Sequence, residues 1–405
     1  MWACSLGMTG LVKQLMDLDS TVELMDEEGQ TALLLALANG HEDAAKTLLN
    51  LTQSAGASQL APVTQNALCS TRAFMLSSTD KHGATALMLA IAHATAGNQA
   101  LVDILLAPTR DAGMLDVQDV IVKQSALHGA GARGLLDTVR TLLALNANPG
   151  LSDANGRTPL LLAIIHEHPS VAEVLVAPSA QAGVLDIKGK GGKGGVSALC
   201  RACERGHTGL VERLLAHDAD PKMRDRDVTG HTPLMLAIAN GHAPAVEILL
   251  SRERQVAALD VQSTGAQRSA VMLASDKGHA ALVGQLLGLG VKVGLRDKYG
   301  KTALILALEK GHEAVAEMLL PPTALVGSLD VQGSGMMDRR SALMIASKKG
   351  LAGVVGKLLL LRANAKLEDA RGKTALDLAR ESRHDACVSL LTALTLHASS
   401  RDPPR

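Results

Sequence analysis

The sequence predicts an all-α repeat fold, a solenoid of short helix–turn–helix units that pack on one another. Three observations predict it. A short motif recurs ten times along the 405 residues, a glycine follows many copies at the spacing of a helix end, and aromatic residues make up only 1% of a chain that is 47% hydrophobic. Because aromatic side chains dominate large cores, a core of Leu, Ala, Val, Ile and Met suits thin stacked layers. The sequence therefore favours one repeat array over separate globular domains.

The recurring motif is a Ser or Thr followed by a small residue and an aliphatic residue. Neighbouring copies begin 54, 40, 33, 39, 35, 37, 33, 39 and 33 residues apart. A period of this size is typical of repeat architectures, so each copy predicts one structural unit. The copies begin at Thr31, Thr85, Ser125, Thr158, Ser197, Thr232, Ser269, Thr302, Ser341 and Thr374.

The motif predicts the start of the first helix in each unit. A Ser or Thr hydroxyl is a good N-cap because it accepts a hydrogen bond from an unpaired N–H of the first turn. Pro159 and Pro233 follow this cap, at the first helical position, where proline costs no hydrogen bond. Glycine predicts the end of the helix, since it readily adopts the left-handed conformation that stops one. Gly-His pairs supply this glycine at Gly40, Gly206, Gly241, Gly278 and Gly311.

Paired aliphatic residues after the glycine predict a second helix. Residues 243–250 are an example, with Val246, Leu249 and Leu250 forming the apolar stripe. Two helices of about eight residues are too short to be stable alone. Each unit must therefore bury its apolar face against neighbouring copies.

Two segments, residues 230–250 and 300–320, carry nearly the whole pattern of a known repeat. The first reads Gly-His-Thr-Pro-Leu-Met-Leu-Ala, followed by Gly-His and an aliphatic run. They resemble the ankyrin repeat, which has a period of about 33 residues and the signature T-P-L-H-x-A. The resemblance covers about residues 3–391 and implies helix–turn–helix units joined by β-hairpin-like fingers. The family's signature histidine survives only as His128, so we expect apolar packing at most of the equivalent positions.

Long and short connections alternate, which predicts a second period of two repeats. The tag Leu-Asp-Val-Gln ends at Gln118, Gln262 and Gln332, and the variant Leu-Asp-Ile-Lys ends at Lys188. Successive tags are 70, 74 and 70 residues apart. Because packed helices lie about 10 Å apart, we expect long fingers to project every ~20 Å along one edge. The long inserts are expected at 50–82, 107–124, 177–196, 251–268 and 321–340.

We expect three regions along the chain. Residues 1–28 form a truncated N-terminal capping repeat, because they align with only the second part of a unit. Either Trp2 covers the open end of this repeat or the sequence starts late. Residues 29–395 form the repeat array, and residues 396–405 form a polar C-terminal tail.

Charge and composition exclude several classes of protein. Lys and Arg number 40 and so do Asp and Glu, whereas specific nucleic-acid binders usually carry a basic surplus. Five scattered cysteines do not form a disulfide framework. No apolar run has the length of a membrane span, and the N-terminus lacks the pattern of a signal peptide. We expect an intracellular, cytoplasmic protein without a membrane span.

No motif indicates catalysis, a metal or a cofactor. The Gly-His histidines lie one repeat apart, about 10 Å, whereas zinc needs its ligands about 2 Å from one ion, so we interpret them as turn residues. Cys200 and Cys203 occupy helix positions that hold Met235 and Ile238 in another copy, which indicates core residues. Residues 188–195 are rich in Gly and Lys but lack the Ser or Thr of a phosphate loop. We expect no enzyme activity and no cofactor.

The candidate partner-binding residues lie on the fingers. They comprise a basic finger, an aromatic residue on a second finger, and a Met- and Arg-rich segment, since Met and Arg are enriched at interfaces. These residues are Lys188, Lys190, Lys193, Tyr299, Met336, Met337, Arg339 and Arg340.

The resemblance implies a protein-binding scaffold, since ankyrin repeats grip partners with finger tips and the concave face of the first helices. We therefore expect a non-catalytic adaptor, a monomer that binds other proteins. A regulatory or inhibitory subunit of an enzyme is the alternative. An enzyme with an unrecognised site is the remote alternative, from a different functional class.

Overall fold

The computed structural model describes residues 1–18, 24–54, 73–94, 99–189, 195–225, 229–251, 259–334 and 339–399. Within these ranges the chain is built from short α-helices. The β pairing described there is an isolated antiparallel bridge between Thr79 and Thr85. The predicted all-α repeat fold is confirmed, and its fingers are turns rather than extended strands.

Each repeat contributes a first helix, numbered odd here, and a second helix, numbered even. Residues 73–77 are also helical. The helices are α1 Trp2–Ser5, α2 Thr9–Asp17, α3 Ala32–Ala38, α4 Glu42–Ser54, α5 Ala86–His93, α6 Gln99–Asp111, α7 Ala126–Arg133, α8 Leu136–Ala144, α9 Pro159–Ile165, α10 Pro169–Gln181, α11 Ala198–Arg205, α12 Thr208–Ala216, α13 Pro233–Asn240, α14 Ala243–Ser251, α15 Ala270–Lys277, α16 Ala280–Gly288, α17 Ala303–Lys310, α18 Glu313–Leu325, α19 Ala342–Lys349, α20 Ala352–Leu360, α21 Ala375–Glu381 and α22 Asp385–Ser399.

The first helices begin and end where the motif predicts. Thr302 has extended backbone angles, and its hydroxyl accepts a hydrogen bond from the N–H of Ile305. Gly311 ends the same helix with φ +82°. Glu167 stands where other repeats have glycine and still adopts φ +65°, which is uncommon for a residue with a Cβ. The same hydroxyl cap is made by Thr31, Thr85, Thr158, Thr232, Ser341 and Thr374.

The second helices before three of the tagged fingers are longer than those before the short fingers, which accounts for part of the two-repeat period. Helices α8 and α20 have 9 residues, whereas α6, α10 and α18 have 13. The expected finger inserts at 107–124, 177–196 and 321–340 therefore begin as a further helical turn rather than as loop. Each added turn contains proline, which removes an intrahelical hydrogen bond. Each added turn also buries a hydroxyl residue on its inner side, namely Thr109, Ser179 or Thr323.

The repeats pack within two compact bodies. The first body is residues 1–201 with 212–219, and the second is residues 202–211 with 220–405. In the first body α3 contacts α5, α5 contacts α7 and α7 contacts α9; in the second, α13, α15, α17, α19 and α21 follow one another in the same way. Small side chains allow this close approach. A Cβ on Gly131, for example, would lie 3.0 Å from the carbonyl oxygen of Pro159.

Leucine and alanine make the core that sequence composition predicts. Each fully buried leucine contributes about 1.5–3 kcal/mol relative to an exposed one. Because every repeat buries the same few positions, stability is spread along the array instead of concentrated in one interior. The largest fully buried side chains of the first body include Leu33, Leu34, Leu48, Leu87, Ile91, Leu127, Leu142, Leu160 and Leu161.

The histidine that follows the turn glycine also joins neighbouring repeats. Nε2 of His312 lies 3.2 Å from the carbonyl oxygen of Asp276, at the end of the preceding first helix. Its ring covers Gly278, where a Cβ would come within 2.5 Å of Nδ1. The interpretation as turn residues is confirmed, and the structure adds an inter-repeat contact. Equivalent contacts run from His41 to Ser5, His168 to Ala132, His242 to Glu204 and His384 to Lys348.

The two ends differ from the expectations. Trp2 is 75% exposed and does not cover the open face of the first repeat. The last helix, α22, runs to Ser399, so the expected boundary of a polar tail at residue 396 falls inside a helix. Cys200 and Cys203 are buried free thiols, as predicted for core residues, and so are Cys4 and Cys387. Burial raises the pKa of the Cys4 and Cys387 thiols.

Within the described ranges, the helices are too short or too polar to cross a bilayer.

Candidate functional site

An aspartate at the root holds the backbone of a finger in a tight turn. Oδ1 of Asp297 accepts from the N–H groups of Tyr299 and Lys301, both at 2.9 Å. An Asp side chain that bonds its own backbone two and four residues on favours a turn over a strand. This explains why the fingers form turns. The same arrangement occurs at Asp26, Asp80, Asp153 and Asp369.

Neighbouring fingers are joined tip to tip by single backbone hydrogen bonds. In the first body the N–H of Val120 donates to the oxygen of His82, at 2.7 Å, and the N–H of Ala154 donates to that of Val122, at 2.8 Å. In the second body the N–H of Lys298 donates to the oxygen of Ala266 at 3.0 Å. Fingers within a body therefore form a continuous edge.

The Leu-Asp-Val-Gln tag clamps three of the long fingers, each to the short finger after it. The leucine is buried, and the aspartate reaches across: Oδ1 of Asp260 accepts from the N–H of Lys292 at 2.8 Å. The amide of Gln262 donates to the oxygen of Gln267, at 2.6 Å, and to that of Arg296, at 2.7 Å. The same two bridges are made by Asp116 with Gln118 and by Asp330 with Gln332. The long fingers are thus held at their bases instead of projecting as separate loops.

In two long fingers, the arginine just before the capping serine contacts the root aspartate of the next finger. Nε of Arg340 lies 3.4 Å from Oδ2 of Asp369, and Arg268 lies 3.6 Å from Asp297 in the same way. Burial alone would raise the pKa of Asp369, but the N–H groups of Lys373 and Arg371 and the Arg340 guanidinium together hold that pKa below its usual value. Arg340 was expected to contact a partner; the structure places its guanidinium on the neighbouring finger.

The other expected contact residues are only partly brought together. Tyr299 is half-exposed, Lys298 Nζ lies 5.0 Å from its ring centroid, and its carbonyl oxygen accepts from the N–H of Ser334. Tyr299 is therefore adjacent to the finger that bears exposed Arg339. Lys188 lies in the first body, at the position that holds the clamping glutamine in the other tags. Lys190, Lys193, Met336 and Met337 lie outside the described residues.

Sequence reasoning missed an apolar groove between two fingers of the first body. Val120, Ile121 and Val122 form the tip of the third finger, and Ile121 is 62% exposed. Beside this tip is a groove of about 350 Å³ with Met88 and Leu89 on its wall. Its floor is made of Ala84, Ala92, Ala126 and Gly129. Three consecutive β-branched residues at a finger tip are the signal that was available in the sequence.

The groove is apolar even though two aspartates lie at its rim. Oδ1 of Asp80 accepts from the N–H groups of His82 and Ala84, at 2.9 and 2.8 Å. Both carboxylate oxygens of Asp119 also accept backbone N–H groups. Their charges are thus directed into the finger turns, and the groove can accept an apolar side chain without burying an unpaired charge.

Ionisable side chains also line a groove outside the first body. A second groove, of about 290 Å³, contains His242, His279 and Glu247 in the second body. Nε2 of His242 lies 3.0 Å from the carbonyl oxygen of Glu204, so this ring nitrogen already has a hydrogen-bond partner. In the ranges that the structure describes, His, Cys, Asp and Glu side chains do not gather into a group that could hold a metal ion.

Comparison with known proteins identifies the repeats. The family profile described as "Ankyrin repeats (3 copies)" matches residues 1–116, 93–186, 180–264 and 254–330. Mouse "Ankyrin repeat domain-containing protein 63" is 31% identical over 137 residues, 33% of this chain and 33% of that protein. Mouse "B-cell lymphoma 3 protein homolog" is 32% identical over 181 residues, 45% of this chain and 39% of that protein.

A longer match covers most of the chain. "Ankyrin repeat domain-containing protein SAT10" of Stachybotrys chartarum is 25% identical over 430 aligned residues, 90% of this chain and 21% of that protein. The chain spans about a third of the length of the first relatives. With the caps, the turn glycines and the profile matches in agreement, the chain belongs to the ankyrin repeat family.

Proposed function

We propose that this chain is a non-catalytic scaffold that binds a partner protein at the apolar groove of the first body. Ankyrin repeats are in general protein-interaction modules, which supports protein binding. The proposal adds the place: the groove beside Ile121 and Val122, with Met88 and Leu89 on its wall.

The exposure of the finger tip is the observation that carries this proposal. Ile121 and Val120 expose most of their side chains, although apolar residues of this size are usually buried. An apolar anchor placed in a small pocket is the arrangement that supplies most of the affinity at protein interfaces. The small residues Ala84, Ala126 and Gly129 in the lining leave space for such an anchor.

The groove predicts which substitution weakens partner capture. Ile121→Asp places a charge where the partner would bury an apolar side chain, so we expect partner retention to fall about tenfold or more, equivalent to about 1.4 kcal/mol. The measurement is quantitative affinity capture from cell extract with the full chain, followed by titration of the captured protein. Ile121→Leu should retain binding.

Leu360→Asp is the matched control, because Leu360 is 83% exposed and lies in the second body. Capture that is equally sensitive to both Asp variants would contradict the groove as the site. If the captured protein is an enzyme whose rate changes on binding, the regulatory-subunit alternative is favoured. Turnover by the purified chain that a single side-chain change abolishes would favour the enzyme alternative.

A further inference from the structure

We propose that the second body carries a basic ridge that binds an acidic segment of a partner polypeptide. The basic ridge is Lys277, Lys310, Lys348, Lys349 and Arg383, at or just after the ends of first helices in consecutive repeats. This surface belongs to the other body, and the proposal does not depend on the groove being a binding site.

The ridge lysines recur in one register. Lys277, Lys310 and Lys349 are each the last helical residue before a left-handed glycine. Helix α15 contacts α17, and α17 contacts α19. The three ammonium groups are therefore repeated at the spacing of packed helices, about 10 Å.

The acidic residues beside these lysines are already paired elsewhere. Asp276 lies 3.4 Å from Arg268, and Glu309 lies 2.7 Å from Lys301. Glu381 likewise pairs with Lys373. Each of these carboxylates pairs with a residue on the finger that precedes its own helix. Within the described part of the chain, the ridge side chains are exposed and have no ion-pair partner.

Two described carboxylates follow ridge residues closely in sequence and stand at the starts of second helices. Glu313 and Asp385 are the first residues of α18 and α22, where the helix dipole already favours a negative charge. A lysine at a helix end complements the dipole in the same way, yet its ammonium stays in solvent. Two carboxylates against five cations leave the ridge positive.

The first body shows that this pattern is not a requirement of the repeat. The equivalent positions there are Asn39, His93, Arg133 and His166. The guanidinium of Arg133 donates to the carbonyl oxygen of Ala94 at 2.7 Å. The row of ridge lysines is therefore a feature of the second body. It occurs although the numbers of basic and acidic residues are equal over the whole chain.

The spacing of the ridge indicates the form of the ligand. An extended polypeptide advances about 3.3 Å per residue, so acidic residues at every third position match lysines about 10 Å apart. Binding of single-stranded nucleic acid combines charge with aromatic stacking. Among the described residues of this body, Tyr299 is the exposed aromatic residue. It lies on the finger before α17, whereas the ridge residue Lys310 is at the C-terminal end of that helix. The observations thus favour an acidic polypeptide.

A model peptide tests the ridge directly. Fluorescein-labelled (Glu-Gly-Ser)₅ is titrated with the full chain by fluorescence anisotropy, with (Gln-Gly-Ser)₅ as the neutral peptide. We expect the acidic peptide alone to bind, with affinity that falls steeply as salt rises from about 20 to about 300 mM. The triple variant Lys277→Gln, Lys310→Gln, Lys349→Gln should bind about tenfold more weakly.

The control variant removes the same net charge from the same body. Lys292→Gln, Lys298→Gln, Lys366→Gln changes exposed lysines outside the ridge and should keep the peptide affinity within about twofold. Circular dichroism checks that both variants are folded. Equal losses in the two variants would overturn the ridge as a site. Tighter binding to oligothymidylate or to phosphatidylserine vesicles, lost in the same ridge variant, would overturn the acidic polypeptide as its ligand.

Discussion

The residue three positions after the capping Ser or Thr contacts the backbone N–H of that cap, and different side chains make this contact in different repeats. Met88 places its Sδ 3.5 Å from the N–H of Thr85, and Oδ2 of Asp377 accepts from the N–H of Thr374 at 3.0 Å. His128 accepts from the N–H of Ser125 through Nδ1 and lies 3.2 Å from the oxygen of Arg157 through Nε2. Of these three side chains, the imidazole of His128 is the one whose ordinary pKa lies closest to neutrality.

His128 makes a contribution to the pH dependence of stability, and a single substitution removes that contribution. Burial lowers the pKa of His128, so the folded chain holds a neutral ring at pH values where the unfolded chain is protonated. The stability linked to it is complete above about pH 6.5 and is lost as pH falls from there toward the folded pKa. We expect His128→Met, which copies Met88, to reduce the difference in free energy of unfolding between pH 7.5 and pH 5.5.

Urea denaturation at the two pH values measures this difference. His166→Gln is the control, because it removes an exposed histidine from the same body. The same slope in His128→Met as in the parent chain would contradict the assignment.

At the scale of elements, the clamped fingers should depend on the tag glutamine. Gln262→Ala removes two hydrogen bonds to backbone carbonyls, each worth about 0.5–1.5 kcal/mol, and leaves both carbonyls without that donor. We expect the free energy of unfolding to fall by about 1–3 kcal/mol. Amide exchange should become faster around Lys292, Arg296 and Lys298.

Gln285→Ala is the matched control for the clamp. Gln285 is exposed on α16, in the same body, so its removal should change stability by less than about 0.5 kcal/mol. Equal effects of the two substitutions would mean that the tag is not a clamp.

The sequence predicted those parts of the elements that depend on local chemistry. The Thr302 cap and the Gly311 stop act within one turn, and both were found where expected. The clamp escaped prediction because Gln262 bonds a residue 34 positions away. The use of Gly131 inside α7, a close approach to Pro159 of the next repeat, depends on packing between repeats and not on local sequence.

The candidate site was predicted less well than the fold. Arg340 was selected because Arg is enriched at interfaces, but its guanidinium pairs with Asp369. This pairing depends on the register of two neighbouring fingers. The groove beside Ile121 depends on a void, and a void is fixed by how neighbouring repeats pack. The type of a charged residue does not show whether its side chain pairs within the chain or is exposed for a partner.

At the scale of the whole molecule, the same position of the repeat is buried to different extents in the first repeat and in a later one. Leu15 and Leu358 each lie eight residues after a turn glycine, Gly7 and Gly350. Leu15 is 39% exposed, whereas Leu358 is 0% exposed and lies on α20, which packs on α18. The same side chain therefore contributes little in the first repeat and much in a later one.

This contrast predicts unequal costs for one substitution. We expect Leu358→Ala to lower the free energy of unfolding by about 2–5 kcal/mol, because it leaves a cavity. Leu15→Ala should lower it by less than about 1 kcal/mol, since part of that side chain is already in solvent. Chemical denaturation of both variants measures the ratio, and equal costs would show that the first repeat is covered in solution.

The clamp from a long finger to the next short one has a consequence for how such a gene can change length. Removing a single helix pair would set two long fingers, or two short ones, side by side and leave a tag without its acceptors. Removing or adding a complete pair of repeats preserves every clamp. Viable recombinants of this array should therefore differ by cassettes of about 70 residues, the interval between tags.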